Sequence, residues 1–289
     1  SLHSSMKYDI YITGSNAFLL SSDLATLFTG RTYEIEVFPF SYKECLKYYD
    51  GQYSLDRYVR EGGMPGTLLY REKDDKYKYI RDVFETLIIK DITNKYSIRN
   101  KEVIHDLAYF MMDNISSLTS ANNISKSLAN ANIKITDKTI KLYMQYLKDS
   151  YLFYKVRRYD IKRKKCLATN DKYYLSDHSF RYAIIGTKNM DYGRVYENIV
   201  AIELLRRGYE VYVGKLYKKE VDFVAIKQNE KIYFQVSDDI SNQKTFDREV
   251  TSLLEIQDAY PKILLANTHH DEYQYEGVKI IDIEEWLKL

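Results

Sequence analysis

The last hundred residues alternate between helical and strand patterns, and this order limits the fold more than any other feature. Apolar residues that recur every three to four positions predict a helix, whereas clustered β-branched and aromatic residues between turn signals predict a strand. The predicted elements are a helix, three strands, a helix and two strands, at residues 192–207, 209–213, 220–226, 231–237, 245–259, 263–266 and 278–283. This order is typical of an α/β domain.

The middle of the chain is predicted to be mainly helical. A helical pattern runs from residue 41 to about 93, and the turn signal Gly62-Gly63-Met64-Pro65-Gly66 interrupts it. Three further helices are predicted, and then a hairpin whose strands include 151–159 and 173–175. Three short helices followed by a hairpin are the order of a winged helix-turn-helix. The three helices are predicted at 101–113, 120–131 and 137–149.

The first 40 residues read as a strand at 8–13, a helix at 21–28 and a strand at 33–38. Such a piece cannot cover both faces of a parallel sheet by itself. We therefore expect either that further sequence precedes it or that it docks on another subunit.

Composition sets few limits on function. The 289 residues include 43 basic and 41 acidic side chains, so a net charge of +2 neither indicates nor excludes a nucleic-acid partner. Cys45 and Cys166 are too few for a disulfide framework or a cysteine-based zinc site, which favours a reducing cytoplasm. No apolar run approaches membrane-spanning length, so no membrane partner is expected.

The phosphate-binding motif G-x-x-x-x-G-K-[ST] is absent from the sequence. In that motif, backbone N–H groups cradle the phosphates of a nucleotide and the lysine reaches the terminal ones. We therefore expect that this polypeptide does not hydrolyse ATP by itself.

An ordered set of short motifs nevertheless extends over most of the chain. The motifs are Thr13-Gly14-Ser15-Asn16, Gly30-Arg31, Phe38-Pro39-Phe40-Ser41, Gly62-Gly63-Met64-Pro65, Ile89-Lys90-Asp91-Ile92, Lys172-Tyr173-Tyr174-Leu175-Ser176-Asp177, Tyr196-Glu197-Asn198, Arg206-Arg207-Gly208-Tyr209, Glu220-Val221-Asp222-Phe223, Gln235-Val236 and Asp247-Arg248-Glu249. This set resembles the prokaryotic AAA-type ATPases that carry a winged-helix segment and a C-terminal PD-(D/E)xK restriction-endonuclease-like domain, without their Walker A and Walker B motifs. Asp177 is followed by His178-Ser179-Phe180 where that family tends to have Gly-Leu.

The resemblance implies a multidomain α/β protein with four parts. Residues 1–40 would complete an ATPase core and 41–98 would be its helical lid or linker. Residues 99–175 would form a winged helix, and 176–289 the nuclease-like domain.

Two ATPase residues follow from the resemblance. Asn16 matches the polar residue that orients the attacking water, and Arg31 matches the arginine finger that reaches a neighbour's terminal phosphate. A finger of this kind implies a homo-oligomer, and ATP with Mg²⁺ as the ligands of the intact protein, although no cofactor is expected to bind tightly to this chain. The alternative is a turn asparagine and a helix-terminal arginine.

A nuclease-like site is implied at Glu197, Asp222 and Gln235, where the two carboxylates could approach a metal ion. The active pattern requires a lysine at position 237, which is Ser237. Lys231 or Lys244 could replace it only if the fold brings either one close. The alternative is a degenerate site that survives as scaffold.

Basic residues cluster around the predicted hairpin and on the third helix before it. A wing with this charge would lie along the phosphates of DNA, and the helix would approach a groove. The alternatives are a solvated hairpin or a clamp against the ATPase module. The candidate nucleic-acid-binding residues are Lys138, Lys141, Lys155, Arg157, Arg158, Arg163, Lys164 and Lys165.

We therefore expect the C-terminal portion of an AAA-type ATP-binding protein, which couples nucleotide state to a DNA-facing arm. Two alternatives remain open. One is a metal-dependent DNA nuclease, and the other is a non-catalytic protein-interaction module.

Overall fold

The computed structural model describes residues 8–11, 13, 33, 35–130, 133, 135–168, 170–187 and 190–289. These residues form eleven α-helices, a 3₁₀ helix, a π-helical segment and a nine-stranded mixed sheet, which confirms the α/β fold class. No described helix is long and apolar enough to cross a lipid bilayer.

Seven α-helices precede the first strand in the described part of the chain. A 3₁₀ helix at Pro65–Leu69 follows the second helix, and a π-helical segment at Glu85–Ile92 continues the third. The helices are α1 Tyr42–Tyr48, α2 Leu55–Glu61, α3 Lys73–Phe84, α4 Thr93–Lys95, α5 Lys101–Asp113, α6 Ala121–Asn130 and α7 Asp137–Asp149.

The remaining elements build the sheet and the helices on its two faces. The strands are β1 Phe153–Asp160, β2 Lys165–Cys166, β3 Lys172–Leu175, β4 Glu210–Leu216, β5 Lys219–Lys227, β6 Glu230–Ser237, β7 Lys262–Ala266, β8 Tyr273–Tyr275 and β9 Val278–Asp282. The helices are α8 Ser179–Ile184, α9 Tyr192–Arg206, α10 Gln243–Leu254 and α11 Ile283–Lys288.

The strand order is β2-β1-β4-β5-β6-β7-β9-β8, and β3 pairs with β1 outside this row. The first half of β1 forms the predicted antiparallel hairpin with β3. Its second half pairs in parallel with β4, with Arg157 opposite Tyr212. Strand β1 therefore belongs both to the hairpin and to the main sheet. The sheet includes strands on both sides of the boundary predicted between residues 175 and 176, and the division into domains stays a prediction.

Helix α9 is buried over most of its length. Asp191 caps its first turn by accepting from Arg194 N at 3.3 Å, and residues 195–204 are all buried. The helix packs on strands β3, β4, β5 and β6, and Arg206 Nη1 at its end lies 3.6 Å from Glu44 of α1. A helix buried on all sides can hold polar side chains only if they are hydrogen-bonded. Asn198 meets this condition, because its amide accepts from Leu175 N at 2.7 Å and donates to Leu175 O at 2.9 Å.

The turn at Gly62-Gly63 is buried because it packs tightly against two other segments. Gly63 N donates to Asp177 Oδ2 at 2.7 Å, and Phe40 N donates to Gly63 O at 2.7 Å. A Cβ atom on Gly63 would lie 1.9 Å from Phe40 O, so no larger residue fits. The other Asp177 oxygen accepts from Ser179 N at 2.8 Å. His178 has φ −68°, so the turn after Asp177 needs no glycine and the sequence departure there is accommodated.

Two sequence predictions require correction. The predicted helix 245–259 ends at Leu254, because Asp258 instead accepts hydrogen bonds from Tyr233 OH and Lys231 Nζ, at 2.6 and 3.1 Å. The described residues within 8–13 and 33–38 are not in strands. Their described contacts with β1 are side-chain contacts, such as Tyr154 OH to Glu36 Oε1 at 2.6 Å, rather than a backbone ladder. The predicted helix 21–28 lies outside the described residues.

Candidate functional site

A buried cluster of charged side chains forms where β3, α9 and β5 meet. Strand β3 contributes Lys172, helix α9 contributes Glu197, and strand β5 contributes Glu220 and Asp222. We call these four residues the Lys172 cluster. Lys172 is only 3% exposed, and Glu197 and Asp222 are each 8% exposed.

The ammonium group of Lys172 lies among three carboxylates. Its Nζ atom is 2.8 Å from Glu197 Oε1, 2.6 Å from Glu220 Oε1 and 4.0 Å from Asp222 Oδ1. Tyr174 OH donates to the same Glu197 oxygen at 2.7 Å. The backbone N–H of Val236 donates to Asp222 Oδ2 at 2.9 Å. The two carboxylates predicted from sequence therefore lie together, and a lysine lies between them.

The charges in the cluster are strongly coupled. Burial acts to lower the pKa of Lys172, but the surrounding carboxylates together raise it above its ordinary value, so the amine stays protonated. Burial raises the pKa of Glu197, although Lys172 opposes this effect. Burial, and then the charge of Glu197, raise the pKa of Asp222 well above its usual range. One ammonium thus faces three carboxyl groups, and burial favours the neutral form of Asp222.

Gln235 connects the cluster to α10 and does not contact Lys172. Its Oε1 atom accepts from Asp222 N at 3.3 Å, and its Nε2 atom donates to Glu249 Oε2 at 2.8 Å. The amide therefore fixes β5 and β6 against α10. Ser237, at the position where the active pattern has lysine, donates to Asp239 O at 2.9 Å.

Neither replacement lysine named from the sequence reaches the cluster. Lys231 forms an ion pair with Asp258 at 3.1 Å, and Lys244 is exposed in the first turn of α10. Lys172 was missed because it precedes Asp222 by fifty residues, whereas the sequence argument looked only near Gln235. The sequence did offer one signal. Lys172 lies in the motif Lys172-Tyr173-Tyr174, and alternate residues of a strand share one face, so Lys172 and Tyr174 are expected on the same side of the strand.

The assignment of Glu197 and Asp222 as metal ligands stays a prediction. Within the described ranges, no group of three or more His, Cys, Asp or Glu side chains is arranged to hold a metal ion. Carboxylate oxygens are ligands that hard divalent cations prefer, so the two residue types are suited to a metal although their arrangement here does not show a site.

A second feature is a groove of about 430 Å³ between α7, the start of α6, and strands β1 and β3. Three lysines and two aspartates are among the lining residues: Lys141, Lys148 and Asp137 of α7, Lys155 of β1, and Asp171 before β3. Lys155 is paired with Asp171 at 2.9 Å, while no described carboxylate pairs with the other two lysines. The N-terminal turn of α6 also lines the groove, and unpaired N–H groups at a helix N-terminus favour anions.

The structure divides the basic residues named from the sequence among three places. Lys141 and Lys155 line the groove, and Lys138 is exposed on the same helix as Lys141. Arg157 and Arg158 lie where β1 pairs with β4. The other three lie in the turn and short strand after β1, and they are Arg163, Lys164 and Lys165. Asn16 and Arg31 lie outside the described residues.

Comparison with known proteins gives family matches without a described activity. Residues 1–46 match the model of an AAA domain, and residues 52–191 match the Domain of unknown function (DUF8612). An uncharacterized protein of Haemophilus influenzae is 37% identical over 294 residues, which cover 99% of this chain and 72% of that protein. An uncharacterized protein of Methanocaldococcus jannaschii is 27% identical over 306 residues, covering 98% of this chain and 67% of that protein. No solved structure matches the chain.

The match over residues 1–46 supports the relation to AAA ATPases that the sequence predicts. The winged-helix and nuclease-like assignments stay predictions.

Proposed function

Since the chain belongs to the family of the uncharacterized Haemophilus influenzae protein, we propose that it is the C-terminal portion of an AAA-type ATP-binding protein with a DNA-engaging arm. In the intact protein, ATP and Mg²⁺ would act at the AAA core, and the arm would respond to nucleotide state. Asn16 and Arg31 would be the water-orienting residue and the finger, in an assembly of several copies.

The observation that carries the DNA role is the lysine-lined groove. Lys141 and Lys148 lie on α7, the third helix of a three-helix and hairpin arrangement, and Lys155 lies on the adjoining strand β1. Phosphate oxygens are held by lysines and by helix N-termini, and such contacts position a protein on DNA without reading its sequence. The groove supplies both kinds of donor.

A direct contact supports coupling between the two ends of the chain. Helix α1 lies partly within the segment that matches the AAA domain, and it packs against the C-terminal helix α11. Tyr42 OH donates to Glu284 Oε1 at 2.7 Å, and Lys43 Nζ donates to Leu289 O at 2.7 Å. A displacement of the AAA-matched segment would therefore act on the sheet domain through α11.

The test is fluorescence anisotropy with a labelled DNA duplex. The variant Lys141→Glu/Lys148→Glu removes two groove lysines, and Lys47→Glu/Lys78→Glu is the matched control on exposed, unpaired lysines of α1 and α3. We expect the groove variant to raise Kd at least tenfold while the control stays within about twofold of the wild type. If the wild type and the groove variant bind the duplex with equal affinity, the groove is not the DNA-binding surface. An absence of binding by the wild type favours a protein-interaction module instead.

A metal-dependent DNA nuclease is the second candidate, and the position of Lys172 favours it. The lysine that is missing at position 237 has a counterpart in space, 2.8 Å from Glu197 and 4.0 Å from Asp222. Those two carboxylates would hold a divalent cation, which supplies charge to a scissile phosphate and lowers the pKa of a bound water. Lys172 would remain protonated and donate to a phosphate oxygen.

Two readouts test this candidate. Nicking of supercoiled plasmid in Mg²⁺ or Mn²⁺ is expected for the wild type and lost in Asp222→Asn and Lys172→Met. The melting temperature of the wild type should rise with Ca²⁺, because a ligand that binds the folded state stabilises it, and this rise should be absent in Asp222→Asn. Undiminished nicking by Asp222→Asn rules out this site. If the wild type neither nicks the plasmid nor gains thermal stability with Ca²⁺, the Lys172 cluster has only a structural role.

A further inference from the structure

Two turns that are distant in sequence lie side by side at one end of the sheet. The parallel pairing of β1 with β4 places Asp160 opposite Lys215, and Ile161 N donates to Lys215 O at 3.0 Å. Ile161 is buried in a core cluster with Leu216 and Val221. The turn after β1 is therefore anchored against the turn between β4 and β5.

These turns carry a dense group of cations, which we call the basic tip. Lys162, Arg163, Lys164 and Lys165 are exposed in or next to the first turn, and Lys218 is exposed in the second. Lys162 Nζ lies 4.8 Å from the ring centroid of Tyr217, which links the two turns. The basic tip consists of Lys162, Arg163, Lys164, Lys165, Lys215 and Lys218.

Few carboxylates compensate this charge. Asp160 accepts from Arg163 N at 2.8 Å and lies 3.9 Å from Arg163 Nε. Glu255 is the partner of Lys219, the residue after the tip. No described carboxylate pairs with the five lysines of the tip. Because the whole chain has a net charge of only +2, this end of the sheet is a concentrated positive pole on a nearly neutral molecule.

The position of the basic tip favours nucleic acid over an anionic membrane. Binding to a lipid surface is strengthened by apolar side chains that insert into it, and Tyr217 is the one large exposed aromatic among residues 161–168 and 215–219. The tip instead adjoins the Lys172 cluster, since Glu220 follows Lys219 directly and lies 2.6 Å from Lys172. A phosphate backbone held on the tip would pass beside that cluster.

The tip and the groove are also aligned along one strand. Lys155 faces the groove from β1, and Asp160 ends the same strand beside the tip. Five strand residues span roughly 16 Å at about 3.3 Å per residue. This separation is less than one turn of a DNA duplex, about 34 Å.

We infer that the basic tip is a second nucleic-acid-binding surface, which grips the phosphate backbone of a DNA duplex and directs it past the Lys172 cluster. This inference rests on the proposed function, because it adds a separate backbone contact to the same DNA-engaging arm. It places Lys215 and Lys218, which are not among the basic residues named from the sequence, among the phosphate contacts.

The test compares three double variants of the same chain by anisotropy with a labelled duplex across a salt series. Lys165→Glu/Lys218→Glu alters one exposed lysine of each turn, Lys141→Glu/Lys148→Glu alters the groove, and Lys47→Glu/Lys78→Glu is the charge-matched control. All six side chains are exposed, so the melting temperatures should agree with the wild type. The tip variant should raise Kd at least tenfold relative to the control, and it should reduce the slope of log K against log salt by about 2, one for each phosphate contact.

The outcomes separate the two proposals. Weakened binding by the tip variant together with unchanged binding by the groove variant supports the tip and contradicts the groove. If the tip variant binds DNA with the affinity of the control, the inference about the basic tip is overturned, whatever the affinity of the groove variant. A parallel experiment measures binding to vesicles that contain phosphatidylserine. If the tip variant loses vesicle binding but keeps its DNA affinity, the inference is also overturned, and the tip binds a lipid surface instead.

Discussion

The Nζ atom of Lys172 lies 2.8 Å from Glu197 Oε1, and this contact joins strand β3 to the buried helix α9 inside the protein. Both side chains are almost fully removed from water. A buried charge is tolerated when it is paired and hydrogen-bonded, and Tyr174 OH supplies a further donor to the same oxygen. The pair therefore holds strand β3 against helix α9, whatever chemistry it serves.

Replacing Lys172 by Met should destabilise the fold strongly. The change leaves Glu197, Glu220 and Asp222 without their cation, and breaking a buried pair in this way costs about 3–5 kcal/mol. Urea unfolding at pH 7 measures the loss. Lys219→Met is the control, because Lys219 and Glu255 form an ion pair that is largely exposed, and its loss should cost at most about 1 kcal/mol. Equal effects of the two changes would show that the Lys172 cluster is not a buried ion-pair network.

His178 should contribute a loss of stability as the pH is lowered below about 6.5. Burial lowers the pKa of His178, although Asp177 beside it acts to raise it, and the ring Nε2 lies 2.8 Å from Tyr58 O. Glu203 and Arg206 line the same small cavity. The unfolded chain therefore binds a proton near pH 6.5 that the folded chain accepts only at lower pH, so stability is lost from about pH 6.5 downward.

The measurement is the free energy of unfolding between pH 5.5 and 7.5, for the wild type and His178→Gln. Glutamine keeps a donor for Tyr58 O but does not titrate. One proton limits the contribution of His178 to about 1.4 kcal/mol per pH unit. The variant should show a shallower decline than the wild type, and identical slopes would mean that His178 does not titrate between the two states.

Gly63→Ala should destabilise the protein by about 1–3 kcal/mol or more, because the added methyl would overlap Phe40 O in a turn that has no room to relax. Gly51→Ala is the matched control. Gly51 has φ +80° and no neighbour within 4 Å, so that substitution incurs only the backbone strain of about 1 kcal/mol. Thermal denaturation compares the two, and a smaller effect at Gly63 than at Gly51 would contradict the close approach.

Local periodicity predicted most of the elements around the site. The helices α5, α7 and α9 and the strands β4, β5 and β6 lie within a few residues of their predicted bounds. These elements carry their own apolar patterns and caps, such as Thr136, which accepts from Thr139 N at the start of α7. Short elements were missed: β2 is two residues long, and β8 has an exposed burial pattern that lacks strand periodicity.

The site was predicted only in part, because its decisive contact joins residues of different elements. Glu197 and Asp222 followed from motifs, whereas the approach of Lys172 depends on how β3 pairs with β1 and how α9 crosses the sheet. Likewise, the run from Lys155 to Lys165 reads as one basic wing until β1 is found to pair with β4. Sequence spacing carries no information about such pairings between distant strands.

The decisive measurement is the affinity of the wild-type chain for duplex DNA across a salt series, followed by anisotropy. Contacts from the groove and the basic tip predict micromolar or tighter binding at low salt, with a slope of log K against log salt of about −4 if four or five phosphates are neutralised. No binding even at low salt, or binding that is insensitive to salt, would contradict a DNA-engaging arm.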